Sequence, residues 1–367
     1  MLRDLSIKNY RIFKDFSVEG LTRVNLIVGA NNSGKTSLLE AIYLLCGQGE
    51  PQRLLELIYN RGELVEPEQV VGLKASADFP HRLTGYQVSH TFYGHELTHS
   101  LPIHLSSKKD KPLKLDIRLE SAEQQSKFFT SGSGSSLEDF PAEIPTNTLN
   151  FQYSDSTKYE VPVLGDGVVE PRYFRSGRRP LPNYFINTNA IEFYNLAIIW
   201  DNITLTQKED KVIKALQILE PNVERLSFTS RQTAYSGIMV KLRNSPSPIP
   251  LGSLGDGMRR ILTLAASTVI AENGLLLVDE IDTGLYYQTL TRMWKLLIET
   301  AVDLDVQIFA TTHSSDCLRA FQEALESFSD TSIGKLFRLS IRDKKIQAIG
   351  YTADELKIAQ NQSIEVR

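Results

Sequence analysis

The sequence predicts an α/β protein: a mixed sheet flanked by helices, carrying a β-rich insertion and a short helical lobe. Three observations predict it. An apolar run, Val24 to Val28, leads through a glycine-rich loop into a helical pattern from Ser37 to Leu45. A second apolar run, from Gly274 to Val278, ends in the two acids Asp279 and Glu280. Between them, from near Gln69 to Tyr173, short alternating runs replace helical periodicity. Continuous apolar strands joined to helices call for a buried, largely parallel sheet, and alternating runs call for antiparallel strands. On this reading residues 1–50 open the main unit, 51–185 form the β-rich insertion, 186–225 the helical lobe, and 226–367 complete the main unit.

In chain order, Leu2 to Tyr10 alternates, with Leu5, Ile7 and Tyr10 on one side and Ser6 and Lys8 on the other. Phe13, Phe16 and Val18 continue as a second strand. Gly29, Gly34, Lys35 and Thr36 then fit G-x-x-x-x-G-K-[ST] without a gap, and Asn31, Asn32 and Ser33 fill the loop. A strand before and a helix from Ser37 onward are the context in which this pattern binds phosphate. Glycines let the backbone curl so that N–H groups face an anion, and the helix start adds its positive dipole end. Lys35 is placed to reach the β- and γ-phosphates and Thr36 to ligate Mg²⁺. The competing reading, an ordinary turn with a surface lysine, does not account for the flanking strand and helix.

The segments Leu5 to Phe13 (LSIKNYRIF), Asn25 to Thr36 (NLIVGANNSGKT) and Leu39 to Tyr43 (LEAIY) resemble the opening of RecF, SMC-type and OLD-family ATPases. These are ABC-type AAA ATPases that act on DNA. The Asn31-Asn32-Ser33 loop is most similar to the OLD group. The resemblance implies a P-loop NTPase fold with an ABC-type head, and ATP and Mg²⁺ as ligands. It covers this opening and the last third of the chain.

In the middle, Val70 to Phe79, Tyr86 to Phe92, Leu113 to Leu119 and Leu149 to Tyr153 read as antiparallel strands. Ser131 to Ser136 (SGSGSS) is a low-complexity loop tip. Two basic clusters, Lys108, Lys109, Lys111 and Lys114, then Arg172, Arg175, Arg178 and Arg179, invite a nucleic-acid reading. Lysines guarding an exposed strand edge are the commoner reason for such charges, and that reading is preferred. Ile191, Phe193, Leu196 and Ile199 suggest one helix; Val212, Ile213, Leu216 and Leu219 suggest another, ended by Pro221. Sustained heptads are absent, which excludes SMC-type coiled-coil arms here.

Ile238 to Leu242 reads as a strand, and Pro246 to Pro250 as a loop. In Leu251 to Arg260 (LGSLGDGMRR), Ser253, Gly255 and Asp256 match the S-x-G-[QED] core of the ABC signature, with Gly257 as in the OLD-like version, and a helix follows from Ile261 to Ala271. Carboxylates at the end of a buried strand are costly unless they have a task there. Beside a phosphate loop, Asp279 would hold Mg²⁺ through water and Glu280 would polarise the attacking water. Ile281 to Leu285 resembles a D-loop, with Tyr286 where OLD-like relatives usually have His. Leu290, Met293, Trp294, Leu297 and Ile298 line one helical face, and Val306 to Thr311 is another buried strand. His313 then matches the switch histidine that senses the γ-phosphate. In this architecture the signature of one subunit covers the nucleotide of another, so the resemblance implies an ATP-dependent homodimer or higher oligomer. The Q-loop has no clear counterpart; Gln48 and Gln52 stand too near the phosphate loop.

Net charge is −4 over 367 residues, so any nucleic-acid surface is a local patch. Cys46 and Cys317 read as reduced thiols, the N-terminus mixes charges into apolar residues unlike a signal peptide, and no apolar run approaches a membrane span. A cytoplasmic ATPase without membrane contact is the expectation. The tail from Leu318 to Arg367 is too short for the Toprim nuclease of OLD proteins, and Asp303-Leu-Asp305 is better read as a helix-to-strand turn than as a metal site. There is no N-K-x-D, which disfavours a GTPase. Two functions compete: an ATPase of DNA repair, DNA maintenance or phage defence, with DNA as partner, and a nucleotide-gated scaffold for a separately encoded effector such as a nuclease. A transporter subunit is the weakest reading.

Overall fold

The computed structural model describes residues 1–65, 85–110, 112–121, 147–154, 157–164, 167–169, 182–187, 193–229, 237–343, 345–362 and 366. Its centre is a six-stranded mixed sheet in the order Asn183–Ile186, Leu275–Val278, Gln307–Thr311, Val24–Gly29, Gly334–Arg342 and Lys345–Tyr351. The first five run parallel, and the last pairs antiparallel with its neighbour. Residues along these strands alternate between two cores. Leu26, Leu276 and Ile308 join one, and Ile27, Leu277 and Phe309 the other. Both faces of the sheet are therefore covered, which explains why the three central strands are buried throughout and mostly apolar, Asn25 being the polar residue inside Val24–Gly29.

The first core holds the helices Asp256–Ile270, Tyr287–Asp303, Ser315–Leu325 and Ala353–Asn361. The second holds the helix Lys35–Cys46 and the inner face of a separate antiparallel sheet. That sheet runs Phe13–Glu19, Asp4–Tyr10, Ile103–Ser107, Leu113–Ser121, Asn147–Tyr153 and Thr157–Val163. Leu5, Ile7 and Tyr10 are buried as their alternation predicts, and Lys8 faces out.

Three features depart from expectation. The strands after residue 100 extend the N-terminal hairpin, with Ser6, Ile7 and Lys8 paired to Ser106, Leu105 and His104. Tyr86 to Phe92 is not one strand: Gly85–Gln87 is extended and Ser89–Thr91 turns back. The Thr91 hydroxyl donates to the Val88 carbonyl, a local bond that competes with strand pairing. Finally, Asn183–Ile186 leaves the β-rich stretch and forms the edge of the central sheet. Gly274 permits this approach, because a Cβ there would sit 2.0 Å from the Pro182 carbonyl oxygen. The Val70 to Phe79 strand, the Ser131 to Ser136 loop and the second arginine cluster lie outside the described residues.

The helices Phe193–Asp201 and Gln207–Leu216 form as expected, the second ending before Leu219. A small sheet of Val223–Thr229, Gly237–Leu242 and Ile249–Pro250 follows. Pro250 takes an edge position, where its missing N–H costs no ladder bond. Trp200 stacks on Phe228 with ring centroids 5.3 Å apart, tying helices to hairpin.

Candidate active site

A parallel sheet brings all its carboxyl ends to one edge, the place where α/β folds bind ligands. Here that edge collects Gly29, Ile186, Val278 and Thr311. Gly29 and Gly34 have φ of 150° and 96°. A Cβ at Gly29 would meet the Leu339 carbonyl oxygen at 2.5 Å, and one at Gly34 would meet Ile12 Cδ1 at 2.8 Å. The loop is thus clamped between the Gly334–Arg342 strand and the turn after Asp4–Tyr10, and only glycine fits either place.

Asn31 and Asn32 are exposed at the loop tip, and Ser33 is buried with a hydroxyl that has no partner among the described residues. Lys35 opens the helix Lys35–Cys46, and its ammonium donates to the carbonyls of Gly29 (2.8 Å) and Ala30 (2.9 Å). Burial lowers the Lys35 pKa, while the charges of Asp279 and Glu280 oppose that shift. The Thr36 hydroxyl donates to Asp279 Oδ2 at 2.8 Å, joining residues 243 positions apart. Ser37 is buried and accepts from Arg61 Nη2 at 3.3 Å.

Asp279 and Glu280 sit just past Leu275–Val278. The Asp279 N–H donates to the Ile186 carbonyl, so the missed edge strand positions this acid and brings Asn187 to the same edge. Thr311, read beforehand only as a strand end, donates its hydroxyl to Asp279 Oδ1 and accepts from the Glu280 N–H at 2.9 Å. Glu280 has φ of 47°, a left-handed conformation that costs a non-glycine residue about 1–2 kcal/mol. Arg260 Nη2 holds this turn from the other side, donating to the carbonyls of Asp279 (3.0 Å) and Glu280 (2.7 Å). Thr312 donates to Asp282 Oδ1 and accepts from the Ser314 N–H. His313 is exposed between them, at the entry to Ser315–Leu325.

Thr311→Val keeps the shape and removes the hydroxyl. We expect an approximately tenfold fall in turnover and a stability loss of about 1–3 kcal/mol, from two groups losing their partner. Turnover titrated against Mg²⁺ and a thermal melt would check both.

The signature residues lie elsewhere. Ser253, Gly255 and Asp256 are exposed around a turn that opens the helix Asp256–Ile270. Gly257 packs against the D-loop, where a Cβ would come within 3.0 Å of the Gly284 carbonyl oxygen. Among the described residues no hydrogen bond or ion pair joins residues 253–257 to the phosphate loop. Tyr286 and Tyr287 are exposed beside the D-loop with rings 4.6 Å apart. Gln48 lies past the far end of Lys35–Cys46, about 16 Å along the helix from the loop, so it is no part of this site.

The donor set fits a nucleoside triphosphate and a hard divalent cation. Lys35, the helix start and the unpartnered Ser33 hydroxyl suit phosphate oxygens, and Thr36 with Asp279 offers the oxygen ligands that Mg²⁺ takes. The other candidate sites dissolve into ion pairs. Asp303 pairs with Lys211 and Asp305 with Arg23, as a surface turn should. Lys109 pairs with Glu19 and Lys114 with Asp116, so these lysines have local partners. No helix among the described residues is long and apolar enough to cross a membrane.

Comparison with known proteins places relatives beside this geometry. The family described as "AAA domain, putative AbiEii toxin, Type IV TA system" matches residues 24–318, from the phosphate-loop strand to beyond His313. A Helicobacter pylori protein named ATP/GTP phosphatase is 23% identical over 385 residues, with 97% of each chain covered. A DNA replication and repair protein RecF from Idiomarina loihiensis is 32% identical over 141 residues, 36% of this chain and 38% of that protein. A solved SMC head bound to the C-winged helix domain of ScpA superposes with a TM-score of 0.48 at 14% identity, covering 96% and 98% of the two chains.

Proposed function

The chain belongs to this AAA-domain family and is an ATPase of the ABC, RecF-like kind, and from that premise we propose that two copies close around ATP and reopen on hydrolysis. Lys35 and the loop N–H groups bind the β- and γ-phosphates. Thr36 and Asp279 hold Mg²⁺, which when bound neutralises charge on the phosphate oxygens. Glu280 orients the attacking water and takes its proton, and His313 stands at the γ-phosphate side. Ser253, Gly255, Asp256 and Gly257 complete the site of the other copy.

The observation that carries this reading is the separation of the two half-sites. Thr36, Asp279 and Glu280 converge at one edge, while Ser253, Gly255 and Asp256 stand exposed and, among the described residues, make no bond to their own phosphate loop. The test is the solution mass of Glu280→Gln by light scattering, with and without ATP and Mg²⁺. A mass that doubles only with ATP supports the shared site. A mass indifferent to ATP removes it.

The cellular setting we propose is DNA maintenance or phage defence, supported by the name of the RecF relative and by the family's toxin description. A nucleotide-gated scaffold for a separate effector remains the second reading. Its support is the antiparallel strands Ile103–Ser107, Leu113–Ser121, Asn147–Tyr153 and Thr157–Val163, inserted between the phosphate loop and the signature segment as a surface beyond the nucleotide site. Affinity capture with ATP-locked Glu280→Gln separates the two: recovered DNA favours the first, a recovered nuclease the second.

A further inference from the structure

Arg260 belongs to the helix that follows the signature segment, one turn after Asp256, yet its side chain grips the turn that carries Glu280, the proposed general base. Nη2 donates to two consecutive carbonyls, those of Asp279 and Glu280, and Nε is buried with no acceptor among the described residues. Burial lowers the Arg260 pKa, against the opposing charges of Asp282, Asp279 and Glu280. The two carbonyl bonds fix the turn, while the buried Nε without an acceptor among the described residues is a cost set against them.

The same helix touches the other end of that turn. Gly257 lies against the Gly284 carbonyl, where an added Cβ would come to 3.0 Å from the oxygen, a contact so tight that the neighbour would have to shift. The helix therefore contacts residues 279–280 through Arg260 and residue 284 through Gly257. Glu280 between them holds a left-handed backbone that its own preferences oppose. Its N–H is tied to Thr311 and its carbonyl to Arg260. A displacement of Asp256–Ile270 must either move this turn or break the Arg260 bonds.

We propose that Arg260 is a positioning residue that couples the exposed signature segment to the Glu280 turn of the same chain. Docking of phosphate and a partner copy on Ser253 to Asp256 shifts the helix, and Arg260 carries that shift to the Glu280 carboxylate. Hydrolysis at a chain's own phosphate loop then responds to what occupies its own signature. This rests on the shared-site reading above.

The experiment compares Arg260→Met, which keeps the aliphatic stem and removes the donors, with Arg260→Lys, which keeps one charge. Affinity for a fluorescent ATP analogue, kcat, KM and melting temperature are measured for each. The expected result is an Arg260→Met kcat lower by about 10–100-fold with affinity and KM within about threefold, the pattern of a misplaced catalytic group. Arg260→Lys should lie between Met and wild type at unchanged KM. If Arg260→Met does not fold, the Arg260→Lys split between kcat and KM carries the test alone. Turnover equal to wild type in these variants overturns the proposal. So does a parallel loss of affinity, turnover and melting temperature, which would mark a structural role. A wild-type protein that fails to turn over ATP would instead sink the reading of the preceding subsection.

Discussion

Glu280→Gln lowers ATP turnover by about 10²–10⁴-fold, the usual range for removing a general base, and leaves ATP affinity within a few-fold. The substitution is nearly isosteric. Glutamine keeps the backbone bonds to Thr311 and Arg260 and an oxygen for the 3.4 Å contact from the Thr283 hydroxyl. What it loses is the charge that accepts a proton from water. The groups proposed to bind phosphate, Lys35 and the loop, are untouched. Loss of the Glu280 charge also removes one of the two carboxylates that oppose the burial-driven fall in the Lys35 pKa. Asp279 remains to hold that lysine protonated, so binding survives. Steady-state phosphate release and equilibrium nucleotide binding check the two halves. Wild-type turnover in Glu280→Gln would mean that another group activates the water.

Glu40→Ala destabilises the protein by about 3–5 kcal/mol, the cost of breaking a buried ion pair from one side. Glu40 is 2% exposed on the inner face of Lys35–Cys46. It accepts from Arg11 Nε at 2.9 Å, Arg61 Nε at 2.5 Å and the Tyr10 hydroxyl at 3.2 Å. Arg11 is also buried; it keeps Glu63 at 2.6 Å, but its Nη2 already has no partner among the described residues. Removing Glu40 leaves a guanidinium in an apolar core with half its compensation. The damage reaches the nucleotide site, because Arg61 also contacts Ser37, and the turn after Arg11 puts Ile12 against Gly34. The melting temperature should drop by several degrees, with ATP affinity falling in step. Combining Glu40→Leu with Arg11→Met should recover much of the loss, since an apolar replacement of the whole pair avoids the stranded charge. A double variant as unstable as Glu40→Ala would contradict this account.

The two predictions draw on residues of different legibility. Glu280 was identifiable from seven consecutive residues, because an apolar strand that ends in acids has few explanations. Glu40 was visible only as part of a family-like segment. Its partner Arg11 is 29 positions away, and nothing in either neighbourhood announces a buried charge. The same contrast separates Asp279 from Thr311. A threonine closing a buried strand is ordinary, and its role appears only when the parallel register sets it beside Leu275–Val278. The short strand Asn183–Ile186 escaped for a related reason: four residues, with asparagine and tyrosine before phenylalanine and isoleucine, are too few to show a period.

The sequence by itself carried the phosphate-loop pattern, the acid pair, the order of the segments resembling a signature, a D-loop and a switch histidine, the apolar runs of the central sheet and the alternation of the N-terminal strand in the other sheet. Those signals are local: each is carried by a few neighbouring residues whose spacing dictates a strand, a loop or a helix start. Only the tertiary structure decided that Thr36 meets Asp279, that Thr311 and Arg260 hold Glu280 in its left-handed turn, and that the signature stands apart from its own phosphate loop. These depend on strand order and helix placement, which are set by burying the two faces of one sheet in two cores, and no short stretch of chain encodes them.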